Sequence, residues 1–388
     1  MRGVRSFIVL VALAFGAAAG CGAAVAKVPQ GFVGMAGDGP LFDPRVNLTQ
    51  QLDRMVGSGV EKLRVSFNWA DAQPYKSWSD VPASQRSRFT DVGGVPTDFG
   101  GTDEVVSAAA SHQLSVLPVV LAAPRWDGSP KGNHVQPARD KPYARFLTAL
   151  VKRYGPNGSF WSANPSLPVW PIRSWQIWNE PELNFYWDTA NFAPSYVRLL
   201  RAAHGAIKNV DPSATVVLGS LTNFAWKDLQ SIYKIRGARD LFDAVGSNPY
   251  TSKPAGVIRI LTNVRRAMDG HGDRSKPLIA TEVGWPSALG KTKQNFGFNT
   301  TEQGEAKKLS QLLPMLASNR KRLGLSAFYY YTWLSTDQRG AVSWAFSGLL
   351  QFNSGQGTVS TKPAFDAFRR TALKLEGCRK KTSPLRCS

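Results

Sequence analysis

Two glutamates in this sequence stand in similar surroundings, although they lie far apart along the chain. Glu180 belongs to the string WQIWNEP and Glu282 to the string IATEVGWPS, and each follows directly on a run of β-forming residues. Two carboxyl groups facing each other across a cleft are what hydrolysis of a glycosidic bond requires, because one acid protonates the leaving oxygen and one carboxylate attacks the sugar or activates water. An ordinary strand-end glutamate is the alternative at either position alone, but the recurrence of one pattern at both positions favours a shared catalytic site.

The elements that position these glutamates alternate regularly. Short β-rich runs take turns with longer stretches that carry apolar residues at helical spacing, which is typical of parallel strands joined by crossover helices. The helical spacing is clearest at 143–154, 196–207 and 257–268. We predict eight strands, at 31–35, 62–69, 115–121, 174–178, 215–219, 244–248, 277–281 and 325–331.

Eight β/α units predict an α/β fold, namely a (β/α)8 TIM barrel with enlarged βα loops. A doubly wound sheet is disfavoured because no glycine-rich phosphate-binding turn follows the first strand. In a (β/α)8 barrel the chemistry lies at the carboxyl ends of the strands, which is where Glu180 and Glu282 fall, on strands four and seven. The loops at about 70–101 and 123–140 are long and rich in Pro, Gly and Ser, so we expect them to form walls of a cleft.

The Asn-Glu-Pro after strand four and the Thr-Glu-x-Gly-Trp-Pro-Ser after strand seven resemble a large clan of retaining glycoside hydrolases. This clan carries its catalytic glutamates on barrel strands four and seven and includes cellulases, mannanases, xylosidases and β-1,3-glucanases. The resemblance spans the whole barrel, without indicating one family. It implies that Glu180 is the general acid/base, that Glu282 is the nucleophile and that Asn179 donates to the sugar 2-hydroxyl.

The same resemblance implies supporting residues around the two glutamates. Arg64 matches an arginine beside the nucleophile, Tyr250 a tyrosine hydrogen-bonded to it, and Trp333 a tryptophan that stacks on the sugar. Donors to Glu282 favour its ionised form, whereas Glu180 must stay protonated, and a neighbouring carboxylate raises its pKa. Asn248 stands where many clan members carry histidine.

Aromatic and polar residues near the strand ends complete the candidate site. Asn68 is expected to bind or support the substrate, whereas Glu182 and Asp188 are expected to be solvated loop acids. We assign Trp161, Trp170 and Trp344 to core packing. Six tryptophans at or just past strand ends are predicted to stack on sugar rings, namely Trp69, Trp126, Trp178, Trp187, Trp285 and Trp333.

The composition limits the classes of partner. Lys and Arg total 47 against 27 Asp and Glu, a formal net charge of +20. Because these charges are scattered in ones and twos, they argue against nucleic-acid binding and are compatible with attraction to an anionic cell wall or polysaccharide. Neither C-x-x-C nor H-x-x-x-H spacing occurs, so we expect no metal and no other cofactor. We expect a monomer that binds a carbohydrate substrate.

The chain begins with the pattern of an export signal at 1–26. Arg2 and Arg5 precede an apolar run at 7–19, and an A-x-A cleavage site ends at 26. The alternative is a lipoprotein signal that ends before Cys21 and leaves a lipid anchor on it. We expect a secreted, extracellular protein with a catalytic domain at 27–377 and a basic tail at 378–388, in which Cys378 and Cys387 form a disulfide.

Together these features predict a secreted retaining β-glycosidase that hydrolyses a β-linked oligo- or polysaccharide by double displacement. The alternatives are a catalytically silent barrel that binds cell-wall glycan and a glycosyl-transferring variant of the same site. The sequence leaves the sugar, the linkage and the choice between endo and exo action open.

Overall fold

The computed structural model describes residues 28–128, 136–187, 190–222 and 224–376 of the 388-residue chain. The predicted export signal with Cys21, and the predicted disulfide between Cys378 and Cys387, lie outside these residues.

Eight parallel strands close into a barrel, which confirms the predicted fold. Each strand pairs with its neighbours in chain order, and the eighth strand pairs with the first. All eight predicted strands are present, with ends that differ by no more than two residues from the prediction. They are β1 (Val33–Ala36), β2 (Lys62–Asn68), β3 (Ser115–Leu121), β4 (Ser174–Asn179), β5 (Thr215–Leu221), β6 (Ala244–Ser247), β7 (Leu278–Val283) and β8 (Leu325–Tyr330).

Among the described residues, eight helices of nine or more residues follow the strands in turn. They are α1 (Leu48–Gly57), α2 (Gly100–Ser111), α3 (Asp140–Tyr154), α4 (Phe192–Lys208), α5 (Ala225–Tyr233), α6 (Pro254–Gly270), α7 (Glu302–Leu323) and α8 (Pro363–Leu375). Helix α3 buries the predicted apolar stripe, because residues three or four positions apart share one helix face. No helix among the described residues is long and apolar enough to cross a membrane.

Shorter elements occupy the loops on both sides of the barrel, with Ser159–Ala163 and Ala238–Leu241 on the amino side and the others on the carboxyl side. They are short α-helices at Trp69–Ala72 and Ser159–Ala163, 3-10 turns at Gly39–Phe42, Trp78–Asp80, Ala83–Arg88, Ala238–Leu241 and Ser343–Phe346, a hairpin of Thr90–Val92 with Val95–Thr97, and a small sheet of Leu334–Ser335, Leu350–Asn353 and Thr358–Thr361.

Buried tyrosines on two helices fix those helices to the barrel. The Tyr143 hydroxyl of α3 donates to the Val120 carbonyl of β3 at 2.7 Å. The Tyr196 hydroxyl of α4 donates to the Ile177 carbonyl at 2.9 Å and accepts from the Gly219 amide at 2.7 Å. Because buried backbone polar groups must be paired, these contacts fix the position of each helix along its neighbouring strands.

The interior of the barrel is a packed layer of side chains rather than a pore. Leu117, Val217, Ala244, Ile279, Ala327 and Tyr329 are buried together there. Polar residues at the carboxyl ends of strands, among them Asn179 and Glu282, are buried as well. The chemistry-bearing residues are therefore concentrated at the end of the barrel that the strand pattern predicted.

Candidate active site

The strand ends and the loops after six of the strands surround a cavity of about 650 Å³. This volume is typical of a small-molecule site. None of the described residues in the loops after β2 and β3, which were predicted to form walls of the cleft, lines the cavity. Both Glu180, which directly follows β4, and Glu282, the penultimate residue of β7, line it. The remaining lining residues are Asp38, Arg64, Ser66, Val119, Leu121, Asn179, Leu183, Phe185, Tyr186, Thr222, Tyr250, Gln294, Phe296, Phe298, Tyr331, Val342 and Trp344.

Glu282 is a buried carboxylate with one donor on each oxygen. The Arg64 guanidinium donates to Glu282 Oε1 at 2.8 Å, and the Tyr250 hydroxyl donates to Oε2 at 2.8 Å. The Arg64 side chain is buried as well, so this ion pair is shielded from solvent. Charge-assisted hydrogen bonds stabilise the negative charge of a carboxylate and fix its orientation.

Arg64 organises more than one side chain because its guanidinium makes three hydrogen bonds in one plane. Besides Glu282, its Nε donates to Gln176 Oε1 at 2.9 Å and its Nη2 donates to Asn179 Oδ1 at 2.8 Å. The amide oxygen of Asn179 is therefore engaged, which leaves the amide nitrogen as the group available to donate to a ligand. Three strands, β2, β4 and β7, are thus joined at one side chain.

Glu180 lies near other acidic groups, whereas Glu282 is paired with an arginine. Burial raises the pKa of Glu180 well above the ordinary value, and the negative charges of Glu282 and then Glu182 raise it further. The Asn248 amide donates to Glu180 Oε1 at 2.7 Å and partly offsets these effects. Asn248 is itself oriented by Thr281, whose hydroxyl donates to Asn248 Oδ1 at 2.8 Å. The surroundings of Glu180 therefore favour its neutral form, whereas Glu282 lies between an arginine and a hydroxyl donor.

The backbone around Glu180 is strained. Glu180 has a φ of 44° and Trp178 a φ of 67°, in the left-handed region that side chains other than glycine rarely adopt. The backbone hydrogen bonds between β4 and β5 nevertheless continue to this residue, because the Glu180 amide donates to the Ser220 carbonyl at 2.9 Å. Such strain is concentrated at functional sites, where the surrounding structure holds it in place.

The motif around Glu282 contains a glycine that the packing requires. A Cβ at Gly284 would lie 2.2 Å from the Tyr331 carbonyl oxygen, which no side chain permits. The Tyr331 amide also donates to the Val283 carbonyl at 3.0 Å. Gly284 therefore lets the ends of β7 and β8 approach closely and keeps Tyr331 beside the nucleophile candidate.

Four predicted sugar-stacking tryptophans do not line the cavity, which corrects the prediction for them. The indole N–H of Trp69 donates to Gln73 Oε1, that of Trp126 to the Gln73 carbonyl, that of Trp285 to the Thr251 carbonyl and that of Trp333 to Gln51 Oε1. Trp69, Trp285 and Trp333 are fully buried, and Trp126 packs edge-on against Trp69 at 5.7 Å between ring centroids. Their N–H groups therefore anchor loops and helices around the site.

Three more predicted substrate-binding residues hydrogen-bond to protein groups and do not line the cavity, namely Trp178, Trp187 and Asn68. Trp178 and Trp187 are buried edge-to-face at 5.6 Å, and their N–H groups donate to the Tyr186 carbonyl and to Ser195 Oγ. The Asn68 side chain accepts from the Ala70 and Asp71 amides and caps the short helix after β2. The prediction that these residues contact substrate is corrected accordingly.

Several cavity residues were not predicted. Trp344 packs against the core as predicted and also lines the cavity. Tyr331, directly after β8, takes the wall position that was expected for Trp333. Asp38, two residues after β1, adds a third carboxyl group, and desolvation followed by repulsion from Glu282 raises its pKa to about 6. In the sequence, the feature that could have identified Asp38 and Tyr331 as site residues is their position just after β1 and β8.

Glu182 is not a solvated loop acid, contrary to expectation. Its Oε1 accepts a hydrogen bond from the Thr222 amide at 2.5 Å, and burial raises its pKa to about 7. Glu182 thus connects the loop after β4 to the end of β5 and lies close enough to Glu180 to influence its protonation.

Comparison with solved structures finds the same barrel in glycoside hydrolases. One is a family 39 glycoside hydrolase from the gut symbiont Bacteroides cellulosilyticus WH2, with a TM-score of 0.61 and 18% identity over 89% of this chain and 65% of that chain. A monomeric β-xylosidase from Caulobacter crescentus CB15 gives 0.63 and 18% over 89% and 69%, and a GH53 catalytic domain from Ignisphaera aggregans gives 0.58 and 17% over 89% and 98%.

At these identities the similarity concerns the fold. The chain spans about two thirds of the length of the family 39 enzyme and of the β-xylosidase. No protein-family model and no curated protein matches the sequence. The structural neighbours are barrel glycoside hydrolases, in agreement with the clan that the motifs resemble, and they do not single out one family.

Proposed function

We propose that this protein is a retaining glycoside hydrolase that cleaves β-linked glycosides by double displacement. The observation that carries the proposal is the pair Glu180 and Glu282 in one cavity, with opposite electrostatic surroundings. A neutral acid beside an ionised carboxylate is the pair of protonation states that the first step of this reaction needs. The β-configuration is supported by the resemblance of both motifs to the clan.

In the first step, the Glu282 carboxylate attacks the anomeric carbon while Glu180 transfers its proton to the glycosidic oxygen. The bond from C1 to that oxygen breaks, and the alcohol leaves as a neutral molecule. In the second step, ionised Glu180 takes a proton from water, the water oxygen attacks C1, and the Glu282 carboxylate is released. Removal of the Glu282 charge in the intermediate lowers the pKa of Glu180, so the same group then acts as base.

The neighbouring side chains support this sequence of steps. Arg64 and Tyr250 hold the Glu282 oxygens in place, and Arg64 also aligns Asn179 toward the cavity. Asn248 orients the carboxyl group of Glu180. Because these groups are set by strands rather than by loops alone, the reacting geometry is formed before substrate arrives.

We also propose that the protein is exported and acts as an extracellular monomer. The charged and apolar pattern at 1–26 supports export, and the proposed disulfide between Cys378 and Cys387 suits an oxidising compartment. Amino-terminal sequencing and thiol titration of the protein from the medium test this. Free thiols on both cysteines would contradict the disulfide.

The activity is tested on a panel of aryl β-glycosides, with the matched α-glycosides as controls. We expect turnover of at least one β-glycoside, and Glu282→Gln to abolish it because an amide cannot form the glycosyl ester. Glu104→Gln, at an exposed position on α2, is the matched control and should keep full activity. Glycan binding without any release of reducing ends would indicate a silent barrel, and products longer than the substrate would indicate glycosyl transfer.

A further inference from the structure

The cavity has two chemically different parts. The part nearest the strands carries the polar side chains, namely Asp38, Arg64, Ser66 and the two glutamates. The part nearest solvent is formed by the loops after β4, β7 and β8 and is almost entirely apolar. We call this part the apolar mouth and define it by Leu183, Phe185, Phe296, Phe298, Val342 and Trp344.

Solvent-exposed apolar side chains are concentrated at this mouth. The described residues include seven large hydrophobic side chains that are exposed, and four of them, Leu183, Phe185, Phe296 and Val342, belong to the mouth. Their exposed fractions run from 37% to 64%. Clustered exposed apolar groups mark binding sites, because water covers them at a free-energy cost that a ligand removes.

The apolar mouth is continuous with the catalytic centre. Phe298 stacks on Tyr250 at 5.8 Å between ring centroids, and Phe296 stacks on Phe298 at 5.9 Å. Phe296 also stacks on Trp344 at 5.8 Å. Since the Tyr250 hydroxyl donates to Glu282, an unbroken aromatic surface leads from the reacting carboxylate to solvent.

The mouth offers few hydrogen-bond partners to a second sugar. A sugar ring carries hydroxyl groups around its edge that need hydrogen-bond partners when they leave water. Gln294 is the polar side chain that lines the cavity beside Phe296, and because its Oε1 accepts from the Ser343 amide at 2.8 Å, its amide nitrogen is the group left to donate. Leu183 and Val342 offer neither an aromatic face nor a hydrogen bond.

We propose that the apolar mouth binds the aglycone of a glycoside, so that the substrate joins a sugar to an alkyl or aryl group rather than to a further sugar. This inference rests on the proposed function. The sugar occupies the polar part of the cavity, and the bond that breaks joins its C1 to the oxygen of the apolar alcohol. Glu180 protonates that oxygen, and the alcohol leaves through the mouth.

A series of alkyl β-glycosides, from methyl to octyl, tests the proposal with one sugar that the aryl panel shows to be cleaved. We expect kcat/KM to rise with each added methylene, by a factor that approaches about fourfold, because burial of a methylene contributes about 0.8 kcal/mol. The readout is the slope of log kcat/KM against chain length, which a general loss of activity does not change.

Two variants and two matched controls locate the effect. Phe296→Ser and Val342→Ser should flatten the slope. Leu289→Ser, on the same loop as Phe296, and Val169→Ser are equally exposed but outside the cavity, and they should leave the slope unchanged. A binding titration of the Glu282→Gln protein with octyl glycoside, with and without Phe296→Ser, checks that the effect is one on affinity.

The outcomes separate this inference from the proposed function. If no aryl or methyl glycoside is cleaved, the proposed function fails. If those glycosides are cleaved but the slope is flat, or β-linked oligosaccharides are cleaved with higher kcat/KM than octyl glycoside, the inference about the mouth is overturned and the proposed function stands. A larger effect with aryl than with alkyl groups of equal area would identify the aglycone as aromatic.

Discussion

Asp38 is a carboxyl group that the cavity holds at a cost in stability, so its replacement should stabilise the protein. Its pKa is raised from 3.8 to about 6, first by desolvation and then by Glu282. The native state therefore binds more protons than the unfolded chain between these values, and the free energy of unfolding falls as the pH rises through them. The shift corresponds to roughly 3 kcal/mol. Because Asp38 is partly accessible to solvent, screening reduces the expected effect to roughly 1–3 kcal/mol.

Denaturant unfolding of Asp38→Asn and of the unchanged protein, at pH 7 and near pH 4, measures this effect. We expect the variant to be more stable by about 1–3 kcal/mol at pH 7 and about equal near pH 4, where Asp38 is protonated in the native state. Asp240→Asn, at an exposed position, should change stability by less than about 0.5 kcal/mol at both pH values. A variant that is no more stable at pH 7 than near pH 4, relative to the unchanged protein, would refute the reasoning.

Three further predictions concern the catalytic centre. Arg64→Met should lower the free energy of unfolding by about 3–5 kcal/mol, because it leaves Glu282 buried without its ion pair. Arg88→Met, which breaks the pair of an exposed arginine with Asp98, should cost about 0–1 kcal/mol, and equal losses would contradict the account. Asn248→Leu removes a donor that favours ionised Glu180, so its pKa should rise and the alkaline limb of kcat/KM should move to higher pH, not lower. Glu180→Ala with azide should release a β-glycosyl azide from a β-glycoside; an α-azide would mean that Glu180 is the nucleophile.

The fold was predictable because its signals are local and repeat eight times. Each strand is an apolar run of limited length, and each following helix has its own stripe, so an error in one unit leaves the others intact. The pairing of Glu180 with Glu282 was predictable for a related reason. A closed parallel barrel brings all carboxyl ends to one rim, whatever the separation of the strands in sequence.

The tryptophans were not predictable in the same way, because proximity to a strand end does not fix where a side chain points. Trp333 lies three residues past β8, and its N–H reaches Gln51 on α1 instead of the cavity. Trp344 lies farther along the same loop, and only the folded path of that loop brings it against Tyr250, at 4.7 Å between ring centroids. Loop conformation depends on tertiary contacts that strand and helix patterns do not encode.

The nucleophile assignment is the central claim, and trapping of the covalent intermediate tests it most directly. The protein is treated with an activated 2-deoxy-2-fluoro-β-glycoside of a sugar that it cleaves, which slows release of the enzyme-bound sugar, and the digested protein is mapped by mass spectrometry. We expect one added glycosyl group, located on the peptide that contains Glu282, and none in Glu282→Gln. A label on Glu180, or steady turnover with inversion at C1 and no label, would contradict the account.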